Sequence, residues 1–149
     1  MEIGAPMAGE TAVLCEVGDA AFATGILGKG IAIRPNEGCV TAPCDGVVDV
    51  IFETGHAVSM TTGEGAELLI HVGIDTVKLN GRHFRACCAA GDRVKKGQLL
   101  IEFDMDAIKA EGYDTITPIV VCNSEKFSVF KKEAGALVAQ GDTILEIEA

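Results

Sequence analysis

The sequence predicts an all-β protein, an antiparallel β-sandwich or barrel with one or two short helices, and three observations carry that prediction. Apolar runs of strand length recur along all 149 residues. Between them, turn-forming residues cluster at Arg34-Pro35-Asn36-Glu37-Gly38, Thr62-Gly63-Glu64-Gly65, Leu79-Asn80-Gly81 and Ala90-Gly91-Asp92, the spacing of sandwiches and barrels. Two segments also echo one another. Ala5-Pro6-Met7-Ala8-Gly9 returns as Ala42-Pro43-Cys44-Asp45-Gly46, and Val94 to Phe103 returns as Val138 to Ile147 with valine, glycine and glutamate at identical spacing. In each copy a glycine turn feeds an apolar strand, which predicts a duplicated β motif closed on itself.

In chain order, the runs with strand character are Thr11 to Val17, Gly30 to Ile33, Val47 to Phe52, Ala57 to Thr61, Leu68 to Val72, Leu99 to Phe103, Ile116 to Val121 and Ile144 to Ile147. Each is short, rich in β-branched residues and bounded by turn formers. Helix is expected over Met105 to Glu111, started by an Asp104 cap and ended by Gly112, with a second helical turn near Phe127 to Lys132.

Length and composition fit one domain, residues 1–149, large enough to bury a core without metals or disulfides. A net charge of −10, from 12 basic and 22 acidic residues, repels a phosphate backbone and excludes nucleic acid as a natural partner, while favouring a basic protein surface. No run approaches the ~20 apolar residues of a membrane span, and Met1-Glu2-Ile3-Gly4 does not open like a signal peptide, so a cytoplasmic location is expected. The six cysteines (15, 39, 44, 87, 88 and 122) contain no Cys-x-x-Cys pair and are expected to be buried, reduced thiols.

The chemistry concentrates at two histidines. In Glu67-Leu68-Leu69-Ile70-His71-Val72-Gly73-Ile74-Asp75-Thr76-Val77 an imidazole interrupts an apolar strand, and Thr54-Gly55-His56 closes a neighbouring run. A neutral imidazole is a general base, a metal ligand or a nucleophile, or a core group bonded to a backbone carbonyl; the residues alone leave these open. Strand alternation sends His71 to the face opposite Ile70 and Val72, and Gly73 lets another backbone or molecule approach. Thr54, two residues before His56, falls on the same face if the strand continues, and its hydroxyl would fix the ring's tautomer. His83 follows a turn among charged residues and reads as surface decoration.

The blocks Phe52-Glu53-Thr54-Gly55-His56, Glu67 to Gly81, Gly30-Ile31-Ala32-Ile33-Arg34-Pro35 and Ile101-Glu102-Phe103-Asp104 resemble the glucose-class enzyme IIA of the bacterial phosphoenolpyruvate-dependent sugar phosphotransferase system. The resemblance runs from Ala5-Pro6 to the final strand. It implies a β-sandwich of the duplicated-hybrid type that accepts a phosphoryl group from the histidine-containing phosphocarrier protein and passes it to the cysteine of a sugar-specific enzyme IIB. By motif, it makes His71 the group phosphorylated on Nε2 and His56 the residue that stabilises the transferring group. It further implies that Thr54 bonds His56 and that the Gly73 carbonyl orients His71. An apolar docking ring would include Phe22, Phe52, Val58, Leu69 and Val77, set off by Asp19 and Asp75; Val58 and Leu69 stand where phenylalanine is common in the family. No cofactor is implied. The resemblance fits both a free-standing protein and a domain of a larger transporter, which would place it at the inner face of the membrane.

Three alternatives belong to other classes. A zinc peptidase of the lysostaphin type needs a His-x-His element that is absent, and two histidines leave zinc short of ligands unless a partner's carboxylate completes a site shared through His56 and His71. A lipoyl or biotinyl carrier needs a lysine within Met-Lys-Met or Asp-Lys-Ala, and neither string occurs. A regulatory interaction protein, switched by phosphorylation of His71, is compatible with the same residues.

Overall fold

The computed structural model describes all 149 residues. Fourteen strands run in order: β1 Glu2–Gly4, β2 Gly9–Ala12, β3 Lys29–Pro35, β4 Cys39–Thr41, β5 Gly46–Ile51, β6 Ala57–Thr62 and β7 Glu67–His71. They continue as β8 Phe84–Ala86, β9 Arg93–Val94, β10 Leu99–Phe103, β11 Thr117–Val121, β12 Ser128–Lys131, β13 Leu137–Val138 and β14 Thr143–Glu148. All pairings are antiparallel. An eight-stranded sheet has the order β13-β2-β3-β11-β7-β6-β5-β9, and two three-stranded sheets have the orders β1-β14-β12 and β4-β10-β8. Residues from all three sheets meet in one core that includes Ile3, Ile33, Met60, Leu68, Ile70, Ile101 and Leu145.

The echoes in the sequence are a duplication in space. Gly9 pairs with Val138 as Gly46 pairs with Val94, and Ile3 pairs with Leu145 as Val40 pairs with Ile101. Ala5 N–H donates to Asp142 O (2.7 Å) as Ala42 N–H donates to Gln98 O (2.8 Å). The two copies also cross reciprocally, Gly4 N–H donating to Pro43 O and Thr41 N–H to Pro6 O. Gly97 and Gly141 both sit at φ +91°, the left-handed turn conformation that glycine adopts without a Cβ penalty.

The large sheet is apolar on both faces. Ile31, Ile33, Ile119 and Val121 point into the main core, whereas Ala32 and Val120 join Ala12, Val17, Phe22 and Ile116 in a second, smaller cluster. Double burial explains why β3 and β11 read as unbroken apolar runs rather than alternating ones. The second cluster is covered by residues 13–28, which hold a 3-10 turn at Leu14–Glu16 and helix α1 at Ala20–Ala23.

That cover corrects the expected strand from Thr11 to Val17: pairing stops at Ala12 and the chain turns over the sheet. Likewise, the helical turn expected near Phe127 to Lys132 is strand β12, because its backbone is claimed by the edge of β14. Helix α2, Met105–Ala110, forms as expected; the Asp104 carboxylate caps Ala107 N–H and Gly112 lies at φ +91°. The cysteines are all unpaired, but only Cys44 is buried; Cys15 and Cys122 lie exposed in a turn and just past a strand end.

Candidate functional site

His71 is the last residue of β7 and faces away from the main core, while Leu68, Ile70 and Val72 face into it. Its partner in register is Ala57, and Val72 N–H donates to His56 O at 2.7 Å. The ladder therefore places His56 beside His71. Their rings lie edge to face, centroids 4.8 Å apart at 83°.

Each ring is oriented through its Nδ1. The Gly73 carbonyl lies 2.9 Å from His71 Nδ1, and since a carbonyl only accepts, Nδ1 carries the proton and Nε2 the lone pair. That carbonyl is itself fixed: Gly73 N–H donates to Ile116 O and Ile74 N–H to Asp114 O, both at 3.1 Å. Gly73 sits at φ +80°, and a Cβ there would come within 2.6 Å of Thr76 Cγ2 and 2.7 Å of Asp114 O. On the other ring, the Thr54 hydroxyl meets His56 Nδ1. The contact is not made along one strand face, as the sequence suggested: β5 ends at Ile51, and a turn through Gly55 (φ +70°) folds Thr54 back onto His56. The Thr54 hydroxyl can donate to Nδ1 or accept from it; when it donates, the His56 proton resides on Nε2, leaving one imidazole as lone pair and its neighbour as donor.

Burial disfavours the charged form of both rings. His56, 2 % exposed, is pushed down to about 4 by desolvation and by the neighbouring His71. His71 is also lowered, chiefly by burial, against the opposing pull of the Gly73 carbonyl, Asp19 and Asp75. Both are neutral near pH 7, the state in which an imidazole lone pair is available. Burial pushes the thiols of Cys39 and Cys44 up to about 11, which keeps these two protonated near pH 7.

Around the rings, Phe22 is 3 % exposed and packs 5.2 Å from His71, while Phe52 is 39 % exposed and lies 5.3 Å from His56. Leu69 shares the His71 face, and Val77 is exposed after it. Asp19 caps α1 at Ala21 N–H, and Asp75, at φ +58°, pairs with Lys78 at 3.8 Å. Val58 departs from the expected ring. It pairs with Ile70, is 1 % exposed and belongs to the main core, because alternation on β6 turns it inward. A bulge between Val48 and Val50 leaves Val50 exposed next to Ser59 instead, and no local pattern in the sequence marks a bulge. The sequence also gave no signal for Phe84, whose ring stands 6.4 Å from His56 at 69°. No group of three His, Cys, Asp or Glu residues converges anywhere in the chain, so His56 and His71 do not make a metal centre without a partner's ligand.

A sandwich of this topology with two edge-to-face imidazoles on its large sheet defines a class. The glucose permease IIA of Mycoplasma capricolum superposes with a TM-score of 0.88 at 31 % identity, covering 97 % of this chain and 94 % of that one. The family model for the EIIA 1 component of the phosphoenolpyruvate-dependent sugar phosphotransferase system matches residues 1–127, and the chain belongs to that family. Among its relatives, the beta-glucoside-specific EIIBCA components of Dickeya chrysanthemi and Bacillus subtilis are 54 % and 49 % identical over 82 % and 85 % of this chain. These matches span only 19 % and 21 % of the lengths of those two proteins. The glucose-specific EIIA component of Haemophilus influenzae is 40 % identical over 99 % of this chain and 89 % of its own length.

Proposed function

We propose that residues 1–149 act as one enzyme IIA domain, relaying a phosphoryl group through His71 during sugar uptake. The observation that carries this reading is the paired orientation of the two rings: with both Nδ1 atoms engaged, by Gly73 and Thr54, the Nε2 atoms are left for chemistry. In the first half-reaction the N–P bond of the phosphocarrier's histidine breaks as His71 Nε2 bonds the phosphorus. In the second, the His71 N–P bond breaks as the thiolate of an enzyme IIB forms an S–P bond. Such transfers need an in-line lone pair and donors for the equatorial oxygens more than covalent help. His56 supplies the donor, its Nε2–H held toward the phosphoryl oxygens by Thr54. The Gly73 carbonyl stabilises positive charge on the His71 ring while it carries the group.

Phe52, Leu69 and Val77 then form the apolar seat for both partners, backed by the buried Phe22, and Asp19 and Asp75 meet basic groups on the carrier. The net charge of −10 supports a basic partner. Greater identity to the beta-glucoside-specific relatives than to the glucose-specific one makes an enzyme IIB of beta-glucoside type the acceptor to test first. The relay would work at the cytoplasmic face of the membrane; no helix here is long and apolar enough to cross it.

Incubation with phosphoenolpyruvate, enzyme I and the phosphocarrier should place one acid-labile, base-stable phosphoryl group on the protein. His71→Ala should remove it, and His56→Gln should still be labelled but pass it on poorly. An unlabelled wild type, or a normally labelled His71→Ala, overturns the reading.

A further inference from the structure

The wall of the site behind His56 is Phe84, which is held in place from outside the site. Phe84 starts β8, pairs with Phe103 and packs its ring 6.2 Å from that residue. Its Cβ lies so close to the Thr54-Gly55-His56 turn that a Cβ on Gly55 would come within 3.2 Å of it. The segment leading to Phe84 takes a left-handed path: Asn80 is at φ +53°, Gly81 at +88° and His83 at +74°. Left-handed backbone at a histidine is unfavourable without restraint. The restraint visible here is a pin. Arg82 reaches one carboxylate oxygen of Glu111 at 2.9 Å, His83 Nε2 meets the other, and the His83 carbonyl accepts from Asp104 N–H at 2.9 Å. Glu111 is the C-cap of α2, and Arg82 and His83 hold its carboxyl below the usual range. His83 is thus not the surface decoration that its sequence context suggests, but a half-buried link between α2 and the approach to β8.

We propose that Glu111, Arg82 and His83 form a positioning device for phosphoryl transfer, seating Phe84 against the imidazole of His56. None of the three touches the reacting atoms. They act through Phe84, which covers one flank of His56 and so keeps that ring dry, neutral and aligned as a donor. The inference rests on His56 serving the relay proposed above, but its first readout does not.

The test uses the whole chain with His83→Gly, Glu111→Ala and Phe84→Ala. Glycine adopts φ +74° without strain, so His83→Gly removes the imidazole's contact with Glu111 while leaving the backbone path accessible, and Glu111→Ala removes both side-chain contacts of the pin. Imidazole resonances, followed by NMR across a pH titration, report His56 directly. In both pin variants the His56 titration should move up by about 1 pH unit as water reaches the ring. Phe84→Ala should reproduce the shift, and adding His83→Gly to it should add little, as expected of residues acting through one contact. Transfer onward to enzyme IIB should slow about tenfold, below the roughly hundredfold cost of a 1 Å misplacement, while labelling of His71 persists. Wild-type titration of His56 in folded His83→Gly protein overturns the proposal, as does a shifted titration with unchanged transfer. If Glu111→Ala fails to fold, His83→Gly decides. A wild type that is never labelled overturns the relay itself, and the NMR comparison still stands.

Discussion

Acid should weaken this fold specifically through His56, by an amount the structure fixes. The ring is 2 % exposed and its pKa falls from 6.5 to about 4, for which burial and the adjoining His71 are responsible. The unfolded chain thus binds a proton at His56 more readily than the folded one, and stability must fall as pH drops through the window between those values. Above about pH 6.5 the penalty is nearly absent; below about pH 4 it is complete and reaches about 3 kcal/mol. Between about pH 7 and pH 5 the linkage costs about 2 kcal/mol. Other groups titrate in the same range, so the measurement is a difference: urea unfolding of wild type and His56→Gln at both pH values. With a urea m-value of about 2 kcal/mol/M, acidification should lower the wild-type midpoint by about 1 M more than that of the variant. If the two midpoints move together, His56 is not held neutral by burial and the neutral state assigned to it is wrong.

Three further outcomes follow from the same geometry. Thr54→Val removes the hydroxyl on His56 Nδ1, freeing the tautomer; onward transfer should drop about tenfold, the equivalent of about 1.4 kcal/mol in the barrier, while His71 labelling survives. Gly73→Ala forces a Cβ into Thr76 and the Asp114 carbonyl at left-handed φ; thermal unfolding should show a loss of about 1–3 kcal/mol, with the His71 NMR signals displaced. Phe52→Ala trims an exposed ring beside His56; it should raise KM for the phosphocarrier several-fold with little change in melting temperature, and an unchanged KM would remove Phe52 from the docking seat.

Much of this was legible in the chain because it depends on neighbours in sequence. Leu99 to Phe103 is a strand at the residues expected, and the Asp104 cap and Gly112 stop bound α2 as expected, since strand propensity, capping and turn chemistry are local. The segment after Ala12 was misread because a four-residue helix is too short to show a period, and its helicity comes from lying on the second cluster. Residues 128–131 are a strand where a helical turn was expected, because pairing along β14, a non-local contact, fixes their backbone. At the site, His71, His56, Thr54 and Gly73 come together, the last two by turn geometry. Val58 entered the expected ring through the family resemblance, whereas alternation on β6 turns it into the core beside Met60, and Phe84 could not be found because its contact with His56 joins distant parts of the chain.

The sequence by itself determined the all-β class, the duplication and the identity of the two imidazoles, all of which are written in short-range pattern and residue type. Only the tertiary structure decided that Nδ1 of each ring is engaged, which apolar residues beside the rings are exposed, and what stands behind His56. Those properties arise from ladders, bulges and turns that bring remote segments within a few ångströms. Hydrogen-bond direction and burial at that distance, rather than residue identity, set the protonation state of an imidazole.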